Sequence, residues 1–228
     1  MTAVPGRRAL LRATMMTGLG AMTGAHLADC SSPAGQEGER QTTFPGSSAT
    51  TPGRRRVLLA YFSRPGENYY YGGRTTLQVG NTEVLARKIS SFIRCDVHRI
   101  EAADPYPRNY DETVRRNVRE QNDDARPTIK GRRPSLDGYD TVLLGSPIWN
   151  VRAPMIMTTF TEQLDFRSKT VVPFTTHAMS GLGTTARDYA RSCRGATIAQ
   201  GLAVRGEEVA DADTDVTTWL RDLGLTRS

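Results

Sequence analysis

The run Thr141-Val142-Leu143-Leu144-Gly145 shows no polar alternation, and it constrains the fold more than any other segment. A strand that is apolar on both sides must be covered on both faces, as in a parallel sheet with helices above and below. Strand and helix patterns alternate around it. Val57–Phe62 reads as the first strand and Asp96–Ile100 as a short second one; residues 170–175 and 197–202 read as a fourth and a weak fifth. Helical periodicity covers residues 82–93, with Val84, Leu85, Ile89, Phe92 and Ile93 on the inner side. It returns over the charged Tyr110–Asn122, where Val114 and Val118 stand four apart, and over 154–164, 184–192 and 216–223. Pro154 sits at a first helical turn, where its missing N–H costs least. Five βα units with short connections predict an α/β fold. Ligands of such sheets lie beyond the C-terminal strand ends, where the winding reverses. The loops after strands one, three and four should therefore meet at one site.

The segment after the first strand limits what that site can hold. Val57–Phe62 runs into Ser63, and after a loop Gly80-Asn81-Thr82-Glu83 opens the first helix. The free N–H groups and dipole of a helix N-terminus hold a phosphate without a buried lysine. Ser63 and Thr82 add hydroxyls, and Asn81 an amide or a cap. The loop carries neither G-x-x-x-x-G-K-[ST] nor G-x-G-x-x-G, so a lone phosphate on a mononucleotide fits better than a triphosphate or a dinucleotide. Plain helix capping suits the same residues, and this segment alone leaves both readings open.

The other two loops hold the unusual residues of the chain. Ser146-Pro147-Ile148-Trp149-Asn150 follows strand three and offers a tryptophan as a platform for a flat aromatic ligand, or as a lid folded over a helix end. His177-Ala178-Met179-Ser180-Gly181-Leu182-Gly183 follows strand four, and its glycines let backbone amides approach a ligand or simply allow a tight connection. His177 is placed to contact a ligand there or to bond within its own loop.

Together these motifs resemble the flavodoxin-like family of FMN-binding proteins, in its single-domain Tyr-Phe-Ser-Arg subgroup. The resemblance rests on Ala60-Tyr61-Phe62-Ser63-Arg64 with Gly80-Asn81-Thr82, on Gly145-Ser146-Pro147-Ile148-Trp149 with Pro154, and on Ser180-Gly181-Leu182-Gly183. It implies a three-layer sandwich whose five-stranded parallel sheet runs in the order 2-1-3-4-5, helices on both faces, with FMN at the switch point. By resemblance Ser63, Asn81 and Thr82, with Arg64, bind the FMN phosphate. Pro147, Ile148, Trp149 and Asn150, with Ser146, pack on the isoalloxazine; Ser180, Gly181 and Gly183, with His177, line its other edge. The departure is the insertion at residues 64–79, which contains Tyr69-Tyr70-Tyr71-Gly72-Gly73. Arg64-Pro65-Gly66-Glu67-Asn68 competes there with Gly80-Asn81-Thr82 for the phosphate, and the latter is favoured because it directly precedes a helix. The tyrosines suit a lid over the flavin or packing on the neighbouring surface. Asp104-Pro105-Tyr106-Pro107 with Tyr110 shapes the wall of the site or is a simple turn.

The formal net charge is +6 over 228 residues, but residues 1–56 hold seven arginines against three acidic side chains. The remainder is nearly balanced and has no basic stripe with interleaved aromatics, which argues against nucleic-acid binding. The N-terminus, residues 1–30, reads as an export signal. Arg7-Arg8-Ala9-Leu10-Leu11-Arg12 resembles a twin-arginine motif, and the apolar segment from Ala13 to Ala28 is shorter than the ~20 residues a spanning helix needs. Leu27-Ala28-Asp29-Cys30 resembles a lipobox, although Asp29 stands where a small residue is usual. A lipid on Cys30 would be the sole membrane contact. Residues 31–55, rich in Ser, Thr, Pro and Gly, read as a flexible linker to a domain over 56–228. Cys95 and Cys193 fall before opposite edge strands, roughly 19 Å apart at ~4.8 Å per strand, too far for a disulfide. Neither they nor the three histidines have metal-ligand spacing.

The expectation is an exported FMN-dependent redox protein with no catalytic protein side chain, working with a redox partner protein or on a small acceptor such as a quinone. The alternative is a binding module of the same fold that has lost FMN. Ser63-Arg64 and Gly145-Ser146 exclude a phosphoacceptor receiver domain, and Gly145-Ser146-Pro147 is not the G-x-S-x-G of a serine hydrolase. No segment marks a homodimer interface, and the sequence is compatible with one.

Overall fold

Every residue of the first strand is buried, and alternate side chains feed two separate cores. Strand β1 (Val57–Phe62) sends Leu58, Ala60 and Phe62 to one face of the sheet and Val57, Leu59 and Tyr61 to the other. Strand β5 (Thr141–Pro147) does the same with Val142 and Leu144 against Leu143. The computed structural model describes residues 56–226, so the export-signal and linker expectations lie outside the described residues.

The sheet has the order β4-β1-β5-β6 followed by β7 and β8, all pairs parallel, with β4 at Asp96–Ile100 and β6 at Thr170–His177. This is the expected order with one difference. The fifth strand is two pieces, β7 (Thr197–Ile198) beside Thr170 and Val171, and β8 (Leu202–Arg205) beside Phe174–His177. Between them Gly201 runs against Pro173, which has no N–H to give a ladder; a Cβ at Gly201 would lie 2.7 Å from the Pro173 carbonyl. The Trp219 indole N–H donates to the Gln200 carbonyl at 2.9 Å, which satisfies backbone freed by the break.

Helices α1 (Asn81–Phe92) and α5 (Asp213–Asp222) cover one face, through Leu85, Ala86, Ile89, Val216, Trp219 and Leu220. Helices α3 (Met155–Glu162) and α4 (Thr185–Ser192) cover the other, through Ile156, Met157, Phe160 and Tyr189. Cys193 belongs to this second core and Cys95 packs against the first, so the sheet stands between the two thiols. Helix α2 (Tyr110–Asn122) differs from the rest. Its buried residues are Thr113, Asn117 and Glu120, and its valines point away from both cores.

The insertion is an antiparallel hairpin, β2 (Gly66–Tyr70) with β3 (Gly73–Leu77). Its two turn residues, Tyr71 and Gly72, have φ of 44° and 84°, as a two-residue primed turn requires. The hairpin is tied down at both ends. Arg64 donates to the carbonyls of Pro107, Arg108 and Glu67, and Arg74 forms a bidentate pair with Asp111 at the start of α2. The Tyr71 N–H donates to the Glu207 carboxylate at 3.0 Å.

One close fit inside the sheet is directly testable. Gly145 lies opposite Phe174, and a Cβ there would sit 2.1 Å from the phenyl ring. Gly145→Ala should therefore cost about 1–3 kcal/mol by forcing that ring off its rotamer. A urea midpoint equal to the parent's would mean that the ring has room to move.

Candidate functional site

The C-terminal ends of β1, β5 and β6 open onto a cavity of about 490 Å³, bounded also by the hairpin, α2 and the turn after β8. Its β1 side is set by the start of α1. Gly80 is the N-cap, in extended conformation and with no side chain to cap the helix. Ser63 does so from across the loop, its Oγ accepting the Glu83 N–H at 3.1 Å. The contact is close enough to require glycine, since a Cβ at Gly80 would lie 2.4 Å from Ser63 Oγ and 2.5 Å from the Arg64 carbonyl. Asn81 and Thr82, which line the cavity, are the first two helical residues, whose N–H groups have no acceptor within the helix. The Thr82 hydroxyl is 2.7 Å from that of Thr176, which joins α1 to the end of β6.

Opposite stands the loop after β5. Pro147, Ile148, Trp149 and Asn150 line the cavity, held by the Ile148 N–H on the Thr176 carbonyl at 2.8 Å and the Trp149 N–H on Arg152 at 3.0 Å. One edge of the tryptophan packs on the core, with ring centroids 5.7 Å from Phe62 and 5.0 Å from Tyr106, while the half-buried remainder faces the cavity. Tyr106 is anchored in turn, its hydroxyl donating to Glu120 at 2.7 Å and the Arg116 guanidinium lying 4.0 Å over its ring. Burial next to the Glu120 carboxylate pushes the Tyr106 phenol far above its usual range. The segment from Asp104 to Pro107 thus supports the tryptophan from behind, and Tyr110 reaches the wall itself.

Four residues expected at the ligand do not line the cavity. Ser146 is fully buried within β5, and its hydroxyl has no hydrogen-bond partner among the described residues. Ser180, Gly181 and Gly183 form a brace. Ser180 Oγ donates to the Asn150 carbonyl at 3.2 Å, the Gly181 carbonyl accepts from Thr175, and the Thr184 N–H donates to Val151 at 2.8 Å. Gly183 has φ +54° and lies so near Val151 that a Cβ would be 2.1 Å from its carbonyl. The glycines therefore let this loop grip the tryptophan loop, where closeness to a ligand was the expectation. Arg64 does line the cavity, but its two terminal nitrogens donate to three backbone carbonyls, and its buried Nε has no hydrogen-bond partner among the described residues.

His177 and Ala178 complete the rim at the end of β6, together with Gly206 and Glu207. The Glu207 Oε1 holds the hairpin, while its Oε2 and the His177 Nδ1 are buried with no hydrogen-bond partner among the described residues. Burial, then the Arg205 charge, holds the His177 imidazole below its ordinary pKa, against the opposing pull of Glu207 and Glu208. Sequence reasoning missed Thr113, Val114, Asn117, Val118, Thr176, Gly206 and Glu207 as lining residues. The one available signal was the Val114–Val118 spacing on a helix otherwise too polar to bury them.

An open parallel sheet sandwiched by helices, with a cavity at its switch point, is the flavodoxin-like class of α/β fold. The family model described as Flavodoxin matches residues 75–223, and the chain belongs to that family. The match begins inside the hairpin and so leaves out β1 and Ser63. Among solved structures, a candidate flavoprotein from Bacteroides eggerthii is 27% identical over 75% of this chain and 99% of its own, with a TM-score of 0.61. One from Bacteroides uniformis is 26% identical over 73% and 98%, with a TM-score of 0.58. A Lactobacillus acidophilus flavoprotein in complex with FMN is 19% identical over 70% and 99%, with a TM-score of 0.51, and shares the fold. No curated protein matches the sequence.

The rim's histidine links stability to pH. A folded-state pKa below that of the unfolded chain means that the unfolded state binds the extra proton, so His177 costs stability as pH falls through about 6.5. His177→Gln should flatten the decline in unfolding free energy between about pH 7 and 5. Parallel pH profiles for parent and variant, measured in urea, would show that the imidazole titrates like a solvated one.

Proposed function

We propose that the protein binds FMN and works as an exported redox protein, either an electron carrier or a small flavin-dependent reductase. The observation that carries this reading is that one cavity joins two kinds of surface at the strand ends. Unpaired helix N–H groups at Asn81 and Thr82 suit a phosphate, and the ledge of Pro147, Ile148 and Trp149 suits a flat ring. The residues fit the group: Gly80 lets Ser63 cap the Glu83 N–H from outside the helix, which leaves the Asn81 and Thr82 N–H groups to an anion, and Trp149 is preset by Phe62 and Tyr106. Membership of the flavodoxin family and the FMN bound by the Lactobacillus acidophilus protein support the same choice.

When bound, FMN supplies the one- and two-electron chemistry, and the protein sets its surroundings. Helix α1 would orient the phosphate and Trp149 would cover the ring and keep water from it. His177 would present a neutral imidazole at neutral pH, and the Glu207 carboxylate would place negative charge beside the rim. Full-length protein held in the cytoplasm and purified should be yellow, with flavin absorption bands. A colourless protein that ignores added FMN would point instead to the binding module without cofactor. Trp149→Ala should weaken FMN retention by about 3- to 10-fold, the worth of one aromatic contact; equal retention in equilibrium dialysis would remove the tryptophan from the site.

We also propose export by the twin-arginine route, with Cys30 as a lipid attachment point. It is supported by Arg7-Arg8 and by Leu27-Ala28-Asp29-Cys30, and that route would carry the domain already folded around its flavin. Replacing both Arg7 and Arg8 with Lys should strand the precursor inside the cell, as read by fractionation. Undiminished secretion of that variant would refute the route.

A further inference from the structure

The base and the tip of the hairpin β2–β3 are bonded to different parts of the fold, and with very different strength. We propose that the hairpin is a strap across the mouth of the cavity, fixed at its base and latched at its tip by Glu207, and that release of this latch lets FMN in and out. The inference rests on the FMN reading above and adds how the ligand enters and leaves.

Three observations carry it. First, the base is fixed to one side of the mouth. Arg64 donates to the Pro107 and Arg108 carbonyls, and the Glu67 N–H donates to the Arg108 carbonyl at 2.8 Å. The Glu67 carboxylate accepts in turn from the Tyr110 N–H and the Asn109 amide. A Cβ at Gly66 would lie 2.5 Å from the Arg108 carbonyl, so the two segments touch backbone to backbone. Arg74, opposite Tyr69 in the hairpin, holds Asp111 through bonds of 3.0 and 2.7 Å. Every one of these partners lies just before α2 or in its first turn.

Second, the tip is held by very little. Tyr70 and Tyr71 are 47% and 62% exposed and belong to neither core, their ring centroids meeting each other at 4.8 Å. Among the described residues, the one hydrogen bond that joins residues 70–73 to the chain outside the hairpin is the Tyr71 N–H on Glu207 Oε1, at 3.0 Å. An exposed segment with few apolar contacts and a single tie opens at low free energy, which is what a lid requires.

Third, the latch stands beside the anion end. A Cβ at Gly206 would lie 2.5 Å from the Asn81 amide nitrogen, so the turn after β8 is pressed against the first residue of α1. Glu207 lines the cavity, as do Asn68 and Tyr69 of the hairpin, and its Oε2 is buried with no hydrogen-bond partner among the described residues. One side chain thus borders the site and carries the tip. With the latch closed, the hairpin reaches from the start of α2 to the turn after β8. With it broken, the tip swings on a base that stays in place.

The test follows FMN entry and release by flavin fluorescence in the full chain. Loss of a latch frees the tip in the empty and the filled protein alike, so Glu207→Ala should raise both rates by about 10-fold, the worth of a hydrogen bond to a charged acceptor. Glu207→Gln removes the charge but keeps an acceptor for the Tyr71 N–H, and it should hold both rates within about threefold of the parent's. In the FMN-free chain, chymotrypsin should cut after Tyr70 and Tyr71 at least ~5-fold faster in Glu207→Ala than in the parent, as read by mass spectrometry. Faster release with unchanged entry would make Glu207 a ligand contact and overturn the strap. Equal rates in the two variants would trace the effect to charge, and cleavage unmoved by Glu207→Ala would show a tip that needs no latch; either result overturns the inference and leaves the flavin reading intact. A chain that binds no FMN defeats both readings together.

Discussion

The site depends on one junction, where β1 hands the chain to α1 by way of Ser63 and Gly80. The Ser63 hydroxyl satisfies the Glu83 N–H that a capping side chain would normally take, so the cap comes from outside the helix. Gly80 permits this because it adds no atom between Ser63 and Arg64. The consequence is electrostatic. The first two amides of α1 stay available at the cavity, with the positive end of the helix dipole behind them.

The rest of the rim is arranged to keep that junction and the tryptophan ledge in register. Thr82 and Thr176 share a hydrogen bond between α1 and β6, and Thr176 also receives the Ile148 N–H from the loop after β5. Three loops from three strands are thus connected through one threonine. Behind Trp149 stand Phe62, Tyr106, Glu120 and Arg116, a buried set in which the phenol and the carboxylate each have a partner. A buried polar group without a partner costs free energy, and this set satisfies its members while holding an aromatic edge in place.

Most of the sheet was legible in the sequence because its strands are short, apolar and evenly separated by helical periodicity. Helix α2 appeared with the expected bounds, and the strand order followed the resemblance. Three features were not legible, each for a physical reason. The hairpin hid because Gly66–Tyr70 and Gly73–Leu77 carry little apolar alternation; its signal was the tyrosine and threonine content flanking Gly72-Gly73. The break between β7 and β8 depends on what Pro173 meets across the sheet, which no local pattern reports. The glycines at 181 and 183 suggested closeness to a ligand, whereas the neighbour they approach is the Asn150–Val151 backbone. Glycine signals that something comes close without saying what. The four-residue spacing of Val114 and Val118 marks one face of α2, and that face lies at the cavity and not on either core.

The most direct measurement is an amide-resolved NMR titration of the protein with FMN and, separately, with riboflavin, which lacks the phosphate. The account predicts that Trp149 responds to both ligands, while the Asn81 and Thr82 amides move strongly for FMN and little for riboflavin. Equal responses of Asn81 and Thr82 to the two ligands, or FMN shifts that cluster away from the start of α1, would contradict it.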